Sequence, residues 1–90
     1  MGQRYIIVDL KDNVCTTITD MMKGEEVEGG AFSLLQDIEY GHKFALQDIN
    51  QGGYVVKYGE RIGRATTNIK AGEHVHVHNV EDIVDEVRKL

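Results

Sequence analysis

The chain has 90 residues and a net charge of −5, from 15 acidic and 10 basic side chains, with one cysteine and no proline. An acidic surface disfavours nucleic-acid and anionic membrane partners, and no apolar run approaches the ~18 residues that a membrane-spanning helix needs. We therefore expect one domain over residues 1–90, in the cytoplasm, with no nucleic-acid or membrane partner. So short a chain forms only a small core, which favours oligomerisation, including a homo-oligomer.

Short runs of apolar and β-branched residues, separated by turn signals, predict a mainly β fold. The predicted strands cover residues 4–8, 14–18, 25–28, 42–46 and 54–57, with a further turn and strand over 59–66. The apolar run at 31–35 does not distinguish a strand from a helical turn. Cys15 lies within the second strand, and we expect its side chain to be buried rather than reactive.

The C-terminal segment has a different period. Asn79, a residue type that caps helices, precedes apolar residues at helical spacing, namely Val80, Ile83, Val84, Val87 and Leu90. The acidic residues of this segment come early and the basic ones late, which suits the dipole of a helix. We predict an amphipathic C-terminal α-helix over about residues 80–89, which either covers the domain's own core or docks on a partner.

A short motif recurs, in which a glycine lies three residues after one apolar residue and three before another. Its copies are Met21-Gly24-Val27, Ile38-Gly41-Phe44, Ile49-Gly52-Val55 and Ile69-Gly72-Val75. The glycine supplies a backbone angle that other residues resist, and the flanking apolar residues face the core. The irregular spacing of the copies favours a compact, pseudo-symmetric β domain over a solenoid.

The strongest chemical feature of the sequence is His74-Val75-His76-Val77-His78. Alternate side chains of a strand share a face, so the histidines would lie on one face and the valines on the other. Histidines two positions apart are about 6.5–7 Å apart along a strand, so that two of them, His76 and His78, can converge on one metal ion. The alternatives are solvated or hydrogen-bonded imidazoles, and contact with an acidic substrate.

We predict that an acidic substrate is bound by three histidines and two basic residues of the central block. These residues are His74, His76, His78, Lys43 and Arg64. An acidic substrate is an anion, so clustered cations would help to hold it. The alternative for Lys43 and Arg64, as for Lys57 and Arg61, is an ordinary surface charge. His42 follows a motif glycine and is a further candidate for the histidine group, and no residue is assigned a catalytic role.

Four stretches, taken in order, carry a family resemblance: 41–49 (GHKFALQDI), 57–59 (KYG), 62–66 (IGRAT) and 69–80, which holds the histidines. Together they resemble the SAF domain at the N-terminus of altronate and galactarate dehydratases, over about residues 4–80. The small subunit of (2R)-sulfolactate sulfo-lyase belongs to the same group. The resemblance implies a SAF-type β-clip fold, built from short strands.

The resemblance also implies a function, that of the small subunit of a sugar-acid dehydratase, a hydro-lyase inactive without a separate large catalytic subunit. It implies a divalent metal, iron(II) or manganese, held mainly by the large subunit, and a wall or lid over the substrate formed by this domain. The alternatives are a sulfo-lyase subunit, a free-standing carbohydrate- or metal-binding module, and a structural assembly module. Asp9-Leu10 stands where many members have His-Pro, which leaves the exact sugar acid open.

Overall fold

A computed structural model describes residues 3–83, and this part of the chain is built mainly from short β-strands, as predicted. The strands are β1 (Tyr5–Ile6), β2 (Val14–Thr17), β3 (Glu26–Val27), β4 (Phe32–Ser33), β5 (Lys43–Ala45), β6 (Tyr54–Lys57), β7 (Glu60–Ala65), β8 (His74–Val75) and β9 (Val80–Glu81). A 3₁₀ turn at Glu28–Gly30 separates β3 from β4. Within 3–83, no helix is long and apolar enough to cross a membrane.

The strands form three antiparallel sheets. The central sheet has the order β1-β2-β5-β8, a second sheet pairs β3 with β4, and the third has the order β6-β7-β9. Each of the five predicted strands contains an observed one, and the ambiguous run at 31–35 contains β4. The mainly β prediction is therefore confirmed, whereas the β-clip description that the resemblance implies stays a prediction.

The glycine motif forms the turns that connect these strands. Its four glycines have φ between 82° and 92°, and in each copy the following N–H donates to the carbonyl three residues earlier. A turn of this kind with positive φ at its third residue favours glycine. The apolar residues that flank the glycines are all buried, at 4% exposure or less. The predicted backbone angle of the glycines and the predicted burial of the flanking residues are therefore confirmed.

The four copies pair two by two. Met21 and Ile38 exchange two backbone hydrogen bonds, and Ile49 and Ile69 do the same. The residue before each of these is Asp or Asn, and its side chain accepts a hydrogen bond from a turn N–H of the partner copy. The four bonds run from Tyr40 to Asp20, Lys23 to Asp37, Ala71 to Asp48 and Gln51 to Asn68. The repeat therefore includes an acceptor position that the apolar pattern alone does not reveal.

Two hydrophobic clusters lie on opposite faces of the central sheet. Val14 belongs to the cluster that contains Ile49 and Ile69, whereas its neighbour Cys15 belongs to the cluster that contains Met21 and Ile38. Alternate residues of a strand point to opposite faces, so β2 contributes to both clusters. The predicted burial of Cys15 is confirmed, and burial raises the pKa of its thiol to about 12.

The prediction that a helix begins at Val80 is wrong. Val80–Glu81 forms β9, an edge strand that pairs with Arg64 and Ala65 of β7. Gly63 lets the two strands approach closely, because a Cβ atom at this position would meet the Val80 side chain and the Glu81 carbonyl oxygen. The helical spacing of apolar residues after Asn79 gives no information about such a partner strand. Residues 84–90, where most of the predicted helix falls, lie outside the described residues.

Candidate functional site

Four histidine rings form a cluster at the β8 edge of the central sheet. The ring centroids of His42 and His74 are 5.0 Å apart, and those of His42 and His76 are 5.2 Å apart. His74 also stacks with His76 and His78, at 5.7 and 5.4 Å. His74 pairs with Phe44 across β5, and His42, two residues before Phe44, lies on the same face. The structure thus adds His42 to the predicted group of three.

The histidines come together by a bend rather than along a straight strand. Strand β8 ends at Val75, and the N–H of Asn79 donates to the His76 carbonyl at 3.1 Å, which closes a turn over 76–79. Val77, predicted to share a strand face with Val75, lies beyond the end of β8 and is 83% exposed, whereas Val75 is buried. The turn folds His78 back towards His74, which a straight strand would not allow.

Asn79 holds this histidine turn in place from beneath. Its side chain is 1% exposed, accepts a hydrogen bond from the His76 N–H at 2.9 Å, and donates to the His74 carbonyl at 2.8 Å. Its amide also lies 3.4 Å from the carboxylate of Glu73. Asn79 is therefore a positioning residue rather than the helix cap that the sequence suggests. An asparagine directly after a histidine-rich segment is equally compatible with both roles in the sequence.

The central contact of the cluster joins His42 and His74. The His42 Nδ1 and His74 Nε2 atoms are 2.8 Å apart, so one ring donates and the other accepts, and which ring donates depends on the tautomers. Burial lowers the pKa of His74, and the nearby His42, His78 and His76 lower it further. The accepting ring must be neutral, and the depressed pKa favours that state in His74.

A groove of about 410 Å³ adjoins the cluster on the other face of β8. Lys43 and His76 both line it, and Lys43 lies directly opposite Val75 in the β5–β8 pairing. Further lining residues are Ile62, Val75, Val80 and Glu81. The groove therefore combines a cation and an imidazole with an apolar floor and an acidic edge. This arrangement can bind a carboxylate at one side and hydroxyl groups at the other.

The remaining basic residues lie elsewhere. Arg64 donates to the phenol oxygen of Tyr54 at 3.0 Å, and its guanidinium carbon is 5.0 Å from the centre of that ring. Arg61 lies over the same ring at 4.4 Å, and the buried Lys57 contacts the ring of Tyr58 at 3.7 Å. Lys43 is thus the predicted basic residue that shares the groove with a histidine, while substrate contact by Arg64 stays a prediction.

The metal prediction concerns His76 and His78. Among residues 3–83, no group of three or more His, Cys, Asp or Glu side chains has an arrangement that could hold a metal ion. The His42–His74 pair directs nitrogen atoms at each other rather than at a common point. Metal binding by His76 and His78 therefore stays a prediction.

The fold and the site define a class of protein, a small β domain that presents a histidine cluster beside a polar groove. The family profile described as "Altronate/galactarate dehydratase SAF domain" matches residues 3–83, and the chain belongs to this family. It is 46% identical to the altronate dehydratase of Escherichia coli (strain K12) over 78 residues, which cover 84% of this chain and 16% of that protein. The resemblance seen in the sequence is therefore confirmed.

The relatives differ in the fraction of their own length that this chain covers. The altronate dehydratase of Bacillus subtilis (strain 168) is 38% identical over 93% of this chain and 17% of its own length. The (2R)-sulfolactate sulfo-lyase subunit alpha of Chromohalobacter salexigens is 46% identical over 90% of this chain and 96% of its own length. The chain thus spans about a sixth of the altronate dehydratases and nearly all of the alpha subunit. These relatives are named as dehydratases and a lyase, which relates the chain to the lyases.

Proposed function

We propose that this chain is the small, SAF-domain subunit of a sugar-acid dehydratase of the altronate or galactarate type. The domain supplies a wall of the active site that binds the carboxylate of the substrate. The observation that carries the proposal is that Lys43 and His76 line one groove beside the histidine cluster. The family membership and the names of the relatives support the choice of reaction.

The groove residues have complementary roles towards a hydroxy acid. The Lys43 ammonium group and a His76 ring N–H donate hydrogen bonds to the substrate carboxylate. The Glu81 carboxylate, which lines the same groove, accepts hydrogen bonds from substrate hydroxyls. His42 and His74 stack against His76 and restrict the orientations of its ring. In this way the domain orients the acid and excludes water from one side of it.

The chemical step of dehydration belongs to the partner in this proposal. A base removes the proton next to the carboxylate, hydroxide leaves from the neighbouring carbon, and the enol formed becomes a 2-keto-3-deoxy acid. We place the base and the divalent metal, iron(II) or manganese, on a separate large catalytic chain. The small chain is then inactive alone, because it binds one end of the substrate without the groups that react.

A second candidate is favoured by the coverage of one relative. The chain matches 96% of a (2R)-sulfolactate sulfo-lyase subunit alpha at 46% identity, whereas it matches 16% of an altronate dehydratase. A sulfo-lyase subunit of this kind would bind the same carboxylate, with sulfite rather than hydroxide leaving. The groove chemistry does not distinguish the two substrates, so both are assayed in the test.

The test is co-expression with the large dehydratase chain encoded by the same genome, followed by assays with altronate, galactarate and sulfolactate in the presence of iron(II) or manganese. We expect the two chains to co-purify and to release a 2-keto-3-deoxy acid or sulfite. His76→Ala should lower turnover without dissociating the complex. Asn50→Ala, at an exposed turn residue that does not line the groove, should leave turnover unchanged. A chain that purifies alone and adds nothing to turnover would instead indicate a free-standing binding module.

A further inference from the structure

One face of the central sheet is buried in one part and exposed in another. Ile6, Thr16, Lys43 and Val75 are successive cross-strand partners, so their side chains form one row on one face. The next row on this face contains Val14 and Ala45, which are fully buried beneath residues of the third sheet. In the row that contains Ile6, Val75 is buried in the same cluster as Val14 and Ala45, whereas Ile6, at the other end of the row, is 41% exposed.

The exposed part of this face is apolar on both sides of Lys43. Ile18 follows Thr16 by two residues, so it continues the same face of β2, and it is 39% exposed. Its N–H donates to the Arg4 carbonyl oxygen, which extends the pairing of β1 with β2 by one residue. On the other side of Lys43, the groove brings in the exposed Ile62 and Val77. We call the surface formed by Ile6, Ile18, Ile62 and Val77 the open sheet face. Ile62 and Val77 line the groove, and the row from Ile6 through Thr16 to Lys43 connects the exposed isoleucines of β1 and β2 to it.

We propose that the open sheet face is the surface on which the large catalytic chain docks, an inference that rests on the proposed function. A catalytic chain that reaches a substrate between Lys43 and His76 must lie over the groove and therefore over the apolar residues around it. The domain forms only 16% of the altronate dehydratase it matches, so the remainder of such an enzyme is large enough to cover this surface.

Charge and geometry define the chemistry of the partner surface. The groove edge at β9 carries Glu81 and Asp82, and the whole chain has a net charge of −5. The complementary surface is therefore apolar at its centre and basic along the edge that meets β9. Docking would convert the open groove into an enclosed site, in which the contacts of Lys43 and His76 with an anion are stronger than in water. A second copy of this chain would bring acid against acid and is not the occupant we propose.

The test uses the full chain and the large dehydratase chain encoded by the same genome. Ile6→Glu and Ile18→Glu each place a carboxylate on the open sheet face outside the groove, and we expect each to weaken the complex by about tenfold or more. Met22→Glu is the control, because Met22 is also exposed, at 59%, and its neighbour Met21 is buried in the cluster on the opposite face of the sheet. It should bind as the wild type does.

Hydrogen–deuterium exchange of the wild-type complex provides a measurement that needs no substitution. We expect peptides covering residues 4–8 and 16–18 to gain protection when the large chain binds. Equal binding by all three variants, or no protection there, would overturn the docking surface. If His76→Ala still lowers turnover in that case, the proposed function stands without it. A wild-type chain that forms no complex with the large chain would contradict the inference. A homodimer of this chain that Ile6→Glu disrupts would contradict it as well, because a second copy would then occupy the surface.

Discussion

The Nδ1 atom of His42 lies 2.8 Å from the Nε2 atom of His74, although 32 positions separate the two residues in the chain. This contact joins the residue before β5 to the first residue of β8. It also couples the protonation of the two rings, because at least one of them must be neutral to accept the hydrogen bond. Each ring therefore influences the charge that the cluster presents to an anionic ligand.

The first prediction concerns His42→Ala. Burial lowers the pKa of His74 and His42 is the next cause, so removal of His42 relieves both effects and should raise the pKa of His74. The pH titration of the His74 ring protons by NMR spectroscopy measures this change. Glu39→Gln is the control with the opposite sign, because Glu39 raises the pKa of His74 and its neutralisation should lower it. Shifts of the same sign in both variants would contradict the coupling.

Local patterns in the sequence predict most of the strands, because each depends on residues near one another. The run Val14–Thr17 is rich in β-branched residues, and the glycine motif places Gly24 and Gly72 at turn positions that require positive φ. Such features depend on backbone preference and on the burial of single residues. They can be identified without knowledge of which strands are neighbours.

Other features do not follow from local patterns. Val80 has helical periodicity, yet it forms a strand because a distant residue, Gly63, leaves room for it beside β7. His42, a candidate from its sequence position, joins the cluster because β5 and β8 pair. Asn79 differs, because its hydrogen-bond partners in His76 and His74 are only three and five positions away. An asparagine suits both a helix cap and this turn, so the local sequence does not choose between them.

The second prediction is that Asn79→Ala destabilises the domain by about 2–4 kcal/mol, because it leaves the His76 N–H and the His74 carbonyl without their buried partner. Urea unfolding at neutral pH measures the free energy of unfolding. Asn50→Ala, at an exposed position, should change it by no more than about 0.5 kcal/mol. A similar small change in both variants would show that Asn79 does not hold the turn.

The third prediction concerns the stability of the domain at acid pH. Burial alone would raise the pKa of Asp12, but the N–H groups of Gly59 and Asp9 donate to its carboxylate and together hold the pKa below the ordinary 3.8. A folded-state pKa below the unfolded value stabilises the fold above pH 3.8, and this stabilisation is lost as the pH falls through the folded value.

We therefore expect Asp12→Asn to be less stable than the wild type at pH 7, with the difference narrowing as the pH falls below 3.8. The free energy of unfolding, measured across a series of pH values, tests this slope. Glu60→Gln removes an exposed carboxylate and should leave the pH dependence close to that of the wild type. A gap between Asp12→Asn and the wild type that stays constant through the acid range would rule out the proposed linkage.

The fourth prediction compares two glycines in equivalent turns. Gly52 and Gly72 have φ of 85° and 86°, so alanine meets the same backbone strain at both positions, about 1–2 kcal/mol. A Cβ atom at Gly52 would meet open space. At Gly72 it would meet the Ser33 carbonyl oxygen, with the Leu34 Cα atom 3.3 Å away. Backbone atoms cannot move aside as a side chain does, so the overlap should lower the free energy of unfolding by a further ~1–3 kcal/mol.

Thermal and urea unfolding of Gly52→Ala and Gly72→Ala separate the two contributions, because the backbone term cancels in their difference. We expect Gly72→Ala to be the less stable variant by more than about 1 kcal/mol. The Ser33 carbonyl belongs to β4 and Gly72 to the turn before β8, so this contact joins the first pair of motif copies to the second. Equal stabilities of the two variants would mean that the backbone at Gly72 can move away from Ser33 at no cost. The close approach of these two residues would then not constrain the position of the histidine turn.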